Sequence, residues 1–393
     1  MSHYYADLHI HIGRGEGGEV VKVTGSKRLT FARIMEEANE RKGLHLVGII
    51  DAHSPPVQRE IEREIATGRM QELSSGGIRF RASVVLLGCE VEVKPDASPP
   101  FHILLFFPTL SSMKEFSNWM STRVRNLQLS TQRLYARPTD VQKVAKSLQG
   151  LIIPAHVFTP YKGVYGSASR LSEVLDPSCI DAVELGLSSD TWMAAQVSEL
   201  SRYPFLSNSD AHSLAKIGRE FNDLQMEEAN FAEFSLALKG EKGRKIAANY
   251  GMHPELGKYH VTFCQACEQE FSPEPAQRFC PHCGSADWVF GVRDRIARLA
   301  QIPGCAREIP ERPPYRYHIP LEFFPKVGKK RLERLLTECG PEMALLHDMP
   351  LSQLADRCGA ALADAFGSLR RQELDFLPGG GGRYGKVLFS PQR

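Results

Sequence analysis

Over about the first 250 residues, short apolar runs alternate with stretches whose apolar residues recur at helical spacing. This is the pattern of βα units around a largely parallel sheet or barrel. Runs of strand length occur at 46–50 (LVGII), 84–87 (VVLL), 102–107 (HILLFF), 151–154 (LIIP), 182–185 (AVEL) and 205–206 (FL). Between them, Thr30 is placed to cap a helix with Phe31, Ile34, Met35 and Ala38 on one face. Ser112 with Glu115 reads as a capping box ahead of Met113, Phe116, Trp119, Met120 and Leu127.

The periodicity lapses near residue 257, where a short cysteine-bearing segment begins. Beyond about residue 292 the chain reads as short helices at 292–300, 329–338, 342–346 and 351–366, broken by Pro and Gly. The expected fold class is therefore α/β, with a barrel over 1–257, a cysteine module over 258–292 and a helical unit over 293–393. Gly379 to Gly382 read as a flexible turn or tail, and the stretch Gly379 to Tyr384 (GGGGRY), expected to lack a preceding strand and a following helix, is not a nucleotide loop.

Composition changes this picture little: 42% apolar and 24% charged residues are ordinary for a soluble globular protein. No apolar run reaches membrane-span length, and the N-terminal residues do not read as a secretory signal. Net charge is 48 − 46 = +2, but residues 289–335 hold eleven basic and five acidic side chains, a local +6. That excess suits a polyanionic partner. Nine cysteines, an odd number with five of them scattered, fit reduced thiols and a cytoplasmic location.

His, Asp and Glu recur at strand ends. Asp7-Leu8-His9-Ile10-His11 sets two imidazoles on one face of an extended segment. Asp51 and His53 follow the LVGII run, Glu90 follows VVLLGC, His102 opens HILLFF and His156 closes LIIPA. Glu184 lies in AVELG, and Asp210 with His212 closes FLSNSDAH. In a parallel barrel, strand C-terminal ends share one mouth, so these side chains converge. Imidazoles and carboxylates without cysteine favour Zn, Mn or Fe. Paired cations of this kind polarise a phosphoryl group and lower the pKa of a water, the natural chemistry of phosphoester hydrolysis. The strongest ligand candidates are His9, His11, Glu90, His156, Asp210 and His212, of which Glu90, His156, Asp210 and His212 carry the catalytic expectation. Asp51 and His102 follow, then His53 and Glu184. His45, His253 and His260 read as ordinary core or loop residues.

DLHIH, the Asp51/His53 segment, GCE, PAH and SDAH resemble the four motifs of the PHP (polymerase and histidinol phosphatase) metallohydrolases. That resemblance implies a distorted seven-stranded βα barrel holding two to three divalent metals, Zn, Mn or Mg. The chain departs from the family's adjacent Asp-His in its second motif, since Ala52 separates Asp51 from His53. Within this group, the strings at 156–166, 182–194, 206–222 and 249–267 resemble the endonuclease Q family of DNA-repair nucleases. This narrower resemblance implies a PHP domain, a zinc-binding segment and a helical C-terminal domain. It also implies incision of DNA, double- or single-stranded, 5′ to a deaminated base (uracil, hypoxanthine, xanthine) or an abasic site, leaving a 3′-hydroxyl and a 5′-phosphate.

Cys264-x-x-Cys267 and Cys280-x-x-Cys283 form two knuckles suited to one closed structural zinc site. Lys326, Gly328, Lys329, Lys330 and Arg331, followed by Leu332, Leu335 and Leu336, resemble a helix-hairpin-helix turn that offers backbone N–H groups and cations to phosphates. The loop after His156, with Phe158, Thr159, Tyr161, Lys162 and Tyr165, mixes aromatic and polar groups beside a ligand-bearing strand end and is expected to border the base pocket or the scissile phosphate. The rival readings are a phosphatase of small monoesters and a non-catalytic DNA-binding protein. No motif signals a protein partner such as a sliding clamp.

Overall fold

A computed structural model describes the chain from Met1 to Leu388, with residues 97, 167, 275, 303–310, 325–326 and 380–381 outside the description. Its strands in chain order are β1 (Ser2–Ile10), β2 (Leu46–Ile49), the short β3 (Gln71–Glu72) and β4 (Ile78–Phe80), β5 (Ser83–Val93), β6 (Phe101–Phe107), β7 (Leu151–Pro154), β8 (Val183–Glu184), β9 (Phe205–Leu206), β10 (Phe221–Met226) and β11 (Lys245–Gly251). Pairing runs β1–β2–β5–β6–β7, with β8 beside β9. Val157 N donates to Glu184 O and Asp181 N to Ile152 O, joining the β7 region to β8. A parallel bridge between Ile10 and Ala211 closes the ring back onto β1. The result is a distorted seven-stranded α/β barrel in which β6 alone is antiparallel to both its neighbours. The expectation of a largely parallel barrel holds with that exception.

Strand parity sorts the side chains. Leu46 and Ile50, Val84 and Leu86, Leu104 and Phe106, and Leu151 and Ile153 share one apolar cluster inside the barrel. Val47, Ile49, Val85, Leu87, Ile103, Leu105 and Ile152 lie in another, facing the covering helices. These helices include α1 (Phe31–Glu36), α2 (Pro55–Ala66), α3 (Leu110–Ser121), α4 (Pro138–Ser147), α5 (Thr191–Ala195) and α6 (Phe231–Lys239). Phe231, Phe234 and Leu238 of α6 plug the apolar end. Two helix starts differ from expectation. The capping box of α3 is Thr109 with Ser112, because Thr109 Oγ1 accepts from Ser112 N at 3.1 Å, so Ser112 stands at N3. Thr30 precedes α1 in extended conformation without a side-chain cap hydrogen bond.

The cysteine module is a three-stranded sheet of β12 (Thr262–Cys264), β13 (Glu270–Phe271) and β14 (Trp288–Val289). It leads into α7 (Val292–Ala300), whose Val292, Ile296 and Leu299 join the barrel's outer core. β15 (Tyr315–Tyr317) then adds to the edge of β11. The remaining unit has its own core, built from Leu321, Leu335, Leu346, Leu354, Phe366 and neighbours. It contains α8 (Lys329–Glu338), α9 (Leu351–Cys358), α10 (Ala360–Arg370) and a hairpin of β16 (Asp375–Leu377) with β17 (Lys386–Leu388). The single helix expected over 351–366 is broken at Gly359, whose φ of 90° is unfavourable for a residue with a side chain. Among the described residues no helix is long and apolar enough to cross a membrane.

Candidate metal centre

The interior parity of the strands continues upward from the apolar layer to the mouth. Glu90 is the interior position above Val84 and Leu86 on β5, and His102 is the one beyond Phe106 and Leu104 on the reversed β6. Because β6 runs backwards, its N-terminal residue reaches the same mouth as the C-terminal ends of its neighbours. On β1, Ala6 and Leu8 face inward while Ile10 faces out. The register shift between Asp7 and Ile10 reverses the alternation and turns His9 and His11 inward. His156 and Asp210 follow β7 and β9 at φ of 32° and 46°, strained conformations for non-glycine residues of the kind that cluster at functional sites.

Seven side chains meet as overlapping clusters: His9, His11 and Glu90; His11, Asp210 and His212; Glu90, His102 and His156. His11 is shared by the first and second of these, Glu90 by the first and third. Glu90 Oε1 lies 3.5 Å from His9 Nε2, 3.4 Å from His156 Nε2 and 2.9 Å from His102 Nδ1. Its Oε2 lies 3.5 Å from His11 Nε2. Asp210 Oδ1 stands 3.4 Å from both His9 Nε2 and His212 Nδ1, and 3.5 Å from His11 Nε2. Apart from the His102 contact, these separations are too long for good hydrogen bonds. The buried Nε2 atoms of His9 and His11 have no hydrogen-bond partner among the described residues. Orphaned imidazole nitrogens facing carboxylate oxygens at this spacing fit bound divalent cations.

The charges agree. Burial works against ionising Glu90, yet His102 and Lys22 hold its carboxyl well below the usual range. Asp210 is likewise held well below it, against desolvation, by His9, His11 and His212. Burial opposes protonation of His9, but Glu184 and Asp210 overcome it and raise its imidazolium well above the ordinary value. His212 moves the other way, lowered to about 4 by burial and by His11.

Three expected ligands stand outside these clusters. Asp51 Oδ2 accepts from Ile12 N at 2.7 Å and faces His11 Nδ1 at 3.2 Å, so it orients a ligand from behind. His53 is buried with Nε2 3.3 Å from Leu129 O. Neither falls in the clusters, although Asp51 Oδ1 and His53 Nδ1 are buried without a hydrogen-bond partner among the described residues. Glu184 plays for His9 the part Asp51 plays for His11, with Oε1 3.0 Å from Nδ1.

The centre opens into a cavity of about 480 Å³ lined also by Thr159, Tyr161, Lys162, Asn208, Lys22, Lys216, Arg219, Lys258, Tyr259 and Tyr384. Of the loop after His156, Thr159, Tyr161 and Lys162 border it, with Lys162 Nζ held by Glu92 Oε2 at 2.5 Å. Phe158 and Tyr165 do not. They are 1% and 0% exposed, stack on each other at 5.4 Å, and Tyr165 donates its hydroxyl to Glu199, so both are core residues that shape the loop from beneath.

Sequence reasoning missed Lys22 altogether. It stands in a glycine-rich stretch that carries no periodic signal, yet its Nζ donates to Thr131 Oγ1 at 2.6 Å and lies 3.5 Å from Glu90 Oε2.

In the cysteine module all four sulfurs converge. Cys264 and Cys283 Sγ are 3.6 Å apart, as are Cys267 and Cys280. A tetrahedral zinc with Zn–S bonds of about 2.3 Å has S···S edges of roughly 3.8 Å, so the sulfurs fit such an ion. In the C-terminal unit, Gly328 stands at the N-cap of α8, Lys329 and Lys330 are exposed, and Arg331 donates to Cys358 O at 3.1 Å. The expected contribution of Lys326 lies outside the described residues.

No family model matches the chain. It is 51% identical over 391 residues to the uncharacterised protein YqxK of Bacillus subtilis, covering 98% of this chain and all of that one. The lesion-specific endonuclease PfuEndoQ from Pyrococcus furiosus matches with a TM-score of 0.83 and 34% identity, over 98% of this chain and 95% of its own. An endonuclease Q in complex with a 27-mer duplex carrying an abasic lesion at the active site matches equally, at 0.83 and 34%, over 99% and 97%.

Proposed function

The chain belongs to the endonuclease Q family, and on that premise we propose that it is a metal-dependent DNA-repair endonuclease acting 5′ to deaminated bases (uracil, hypoxanthine, xanthine) and abasic sites. The observation that carries this reading is the convergence of seven side chains able to ligate metal, from five separate segments, on one cation-lined cavity. The resemblance spans the C-terminal unit as well as the barrel, which favours a polymeric substrate over a small monoester.

Divalent ions held by His9, His11, Glu90, His102, His156, Asp210 and His212, two or three in number and Zn, Mn or Mg in kind, supply Lewis acidity and a water of lowered pKa. The chain's own groups set the rest. Glu90 and His156 form the floor; Asp210 and His212, partly exposed, face the side from which a phosphate arrives. Lys22, Lys162, Lys216, Arg219 and Lys258 give the cavity positive charge suited to the DNA backbone. Attack of water on phosphorus with departure of the 3′-oxygen leaves a 3′-hydroxyl and a 5′-phosphate, and no covalent nucleophile is needed. A mispaired or missing base costs least to unstack, which favours lesions before any base contact forms. Thr159, Tyr161 and Lys162 are the rim groups we assign to the lesion nucleotide. The basic start of α8, at Lys329 and Lys330, we assign to more distant phosphates, and a structural zinc to Cys264, Cys267, Cys280 and Cys283.

The test is end-labelled duplexes carrying one uracil, one hypoxanthine, one abasic site or none, incubated with Mg²⁺ or Mn²⁺ and mapped for cuts. A single nick 5′ to the lesion, lost in Asp210→Ala, is expected. Release of phosphate from small monoesters without any DNA cleavage would replace this reading with a phosphatase.

A further inference from the structure

Beneath the metal centre a line of buried side-chain amides runs from the sheet to the carboxylate behind His9. Glu184 presents both oxygens to His9 Nδ1, at 3.0 and 3.1 Å. Its Oε1 also accepts from Asn208 Nδ2 at 2.9 Å, and its Oε2 from His156 N at 2.9 Å. The orientation of the Asn208 amide is dictated by its other contacts, because Oδ1 accepts from Leu8 N and from Asn222 Nδ2, each at 3.1 Å. Asn222 is fixed in the same way: its Oδ1 accepts from Ser207 N at 2.9 Å and Asn249 Nδ2 at 3.0 Å. Its own Nδ2 also donates to Ala6 O and Ser207 O. Asn208, Asn222, Asn249 and Glu184 are all at most 1% exposed.

An amide NH₂ is a donor only, so Asn208 stabilises Glu184 as a carboxylate and stops it rotating. A fixed carboxylate at Nδ1 keeps a proton there, so a cation that displaces the other ring proton meets the Nε2 lone pair on the side of Glu90 and Asp210. We propose that Asn208 is a positioning residue: through Glu184 it holds His9 in the Nδ1–H tautomer with Nε2 free to ligate a cation. This rests on the metal-centre reading and not on the DNA substrate.

Asn208→Asp separates this role from packing. The shape is kept, and so is the acceptor toward Leu8 and Asn222, but an oxygen replaces the amide donor that faces Glu184. Mn²⁺ is titrated into full-length protein stripped of its barrel ions but retaining the Cys₄ metal, and free Mn²⁺ is counted by electron paramagnetic resonance. Wild-type affinity is expected to exceed that of Asn208→Asp by about 10- to 100-fold. With diamagnetic Zn²⁺ in the barrel, ¹⁵N spectra should show wild-type His9 protonated at Nδ1 and ligating through Nε2, a signature weakened in Asn208→Asp. Asn208→Ala should lose affinity and signature as well; if it does not fold, Asn208→Asp is the variant that decides. Wild-type affinity with an unchanged signature would overturn the proposal, as would a loss of affinity with the His9 signature unchanged, which marks packing alone. A wild-type barrel that binds no Mn²⁺ would overturn it at its premise. A failed nicking assay would leave these affinities untouched and bear only on the substrate.

Discussion

Removing the Lys42 charge should loosen the C-terminal unit from the barrel by several kcal/mol. Lys42 Nζ lies 2.7 Å from Glu342 Oε2, with the two side chains 6% and 3% exposed. The other Glu342 oxygen accepts from Leu321 N at 3.0 Å, and Leu321 belongs to the C-terminal core. Lys42→Met keeps the length and apolar stem but leaves a buried carboxylate with no countercharge, which costs roughly 3 to 5 kcal/mol. The nearby Arg41–Glu333 pair cannot compensate, because Glu333 is 60% exposed and water screens it. The Tyr5 hydroxyl still donates to Asp348 at 2.6 Å, so docking weakens without being abolished. Native-state hydrogen exchange over α9 and α10 reads the effect. At about 1.4 kcal/mol per factor of ten, protection should fall by roughly 150-fold to a few thousandfold. Adding Glu342→Gln should restore most of the loss, since a neutral amide needs no countercharge. A fall of less than about tenfold, or a double variant whose loss is the sum of the singles, would refute the reasoning.

Glu90→Gln should lose barrel metal and at least about a hundredfold in nicking rate, measured by metal content and a lesion duplex, because charge stabilisation worth several kcal/mol goes with the shared carboxylate. Cys280→Ser should release the Cys₄ metal and expose the module to protease while the barrel's cooperative melt persists. Lys22→Met should keep the barrel's metal content but slow nicking, read by the two assays side by side; unchanged turnover would remove Lys22 from the site. Burial raises the Glu220 carboxyl to about 8, against an opposing pull from Arg219. The folded state therefore holds a proton that the unfolded chain releases above about pH 4.5, so this contribution to stability declines from there to about pH 8, by several kcal/mol in all. Glu220→Gln should flatten that decline in urea melts at pH 5 to 8, and an unchanged slope would contradict it.

How much of this was legible depends on what each residue's signal was. Glu90 and His102 were readable because strand parity carries the apolar alternation straight to them. His9 and His11 were readable as a pair, although the register shift that turns them inward left no mark in the sequence. Asp51 and His53 fall outside the clusters, and spacing after a strand does not say which side of the next turn faces the mouth. Phe158 and Tyr165 misled because an aromatic residue in a loop looks the same whether it meets a ligand or supports the loop from below. Gly359 was visible as a glycine, but the surrounding helical period concealed that it takes a positive φ and splits α9 from α10.

Parity also explains where the chain departs from regular geometry. The apolar layer inside the barrel is built by residues that keep strict alternation, so its strands need no strain. Above that layer, a ligand set drawn from alternation alone would contain only Glu90 and His102. Completing it requires the shift on β1 and the positive φ of His156 and Asp210. Each departure brings a nitrogen or oxygen into the clusters, and at His156 and Asp210 the positive φ costs local backbone energy. The barrel below bears that cost because two separate apolar clusters hold the strands on both faces. The same logic places the orienting groups: Asp51, Glu184 and Asn208 sit on the buried side of the irregular segments, where a hydrogen bond is needed to hold what strand geometry does not.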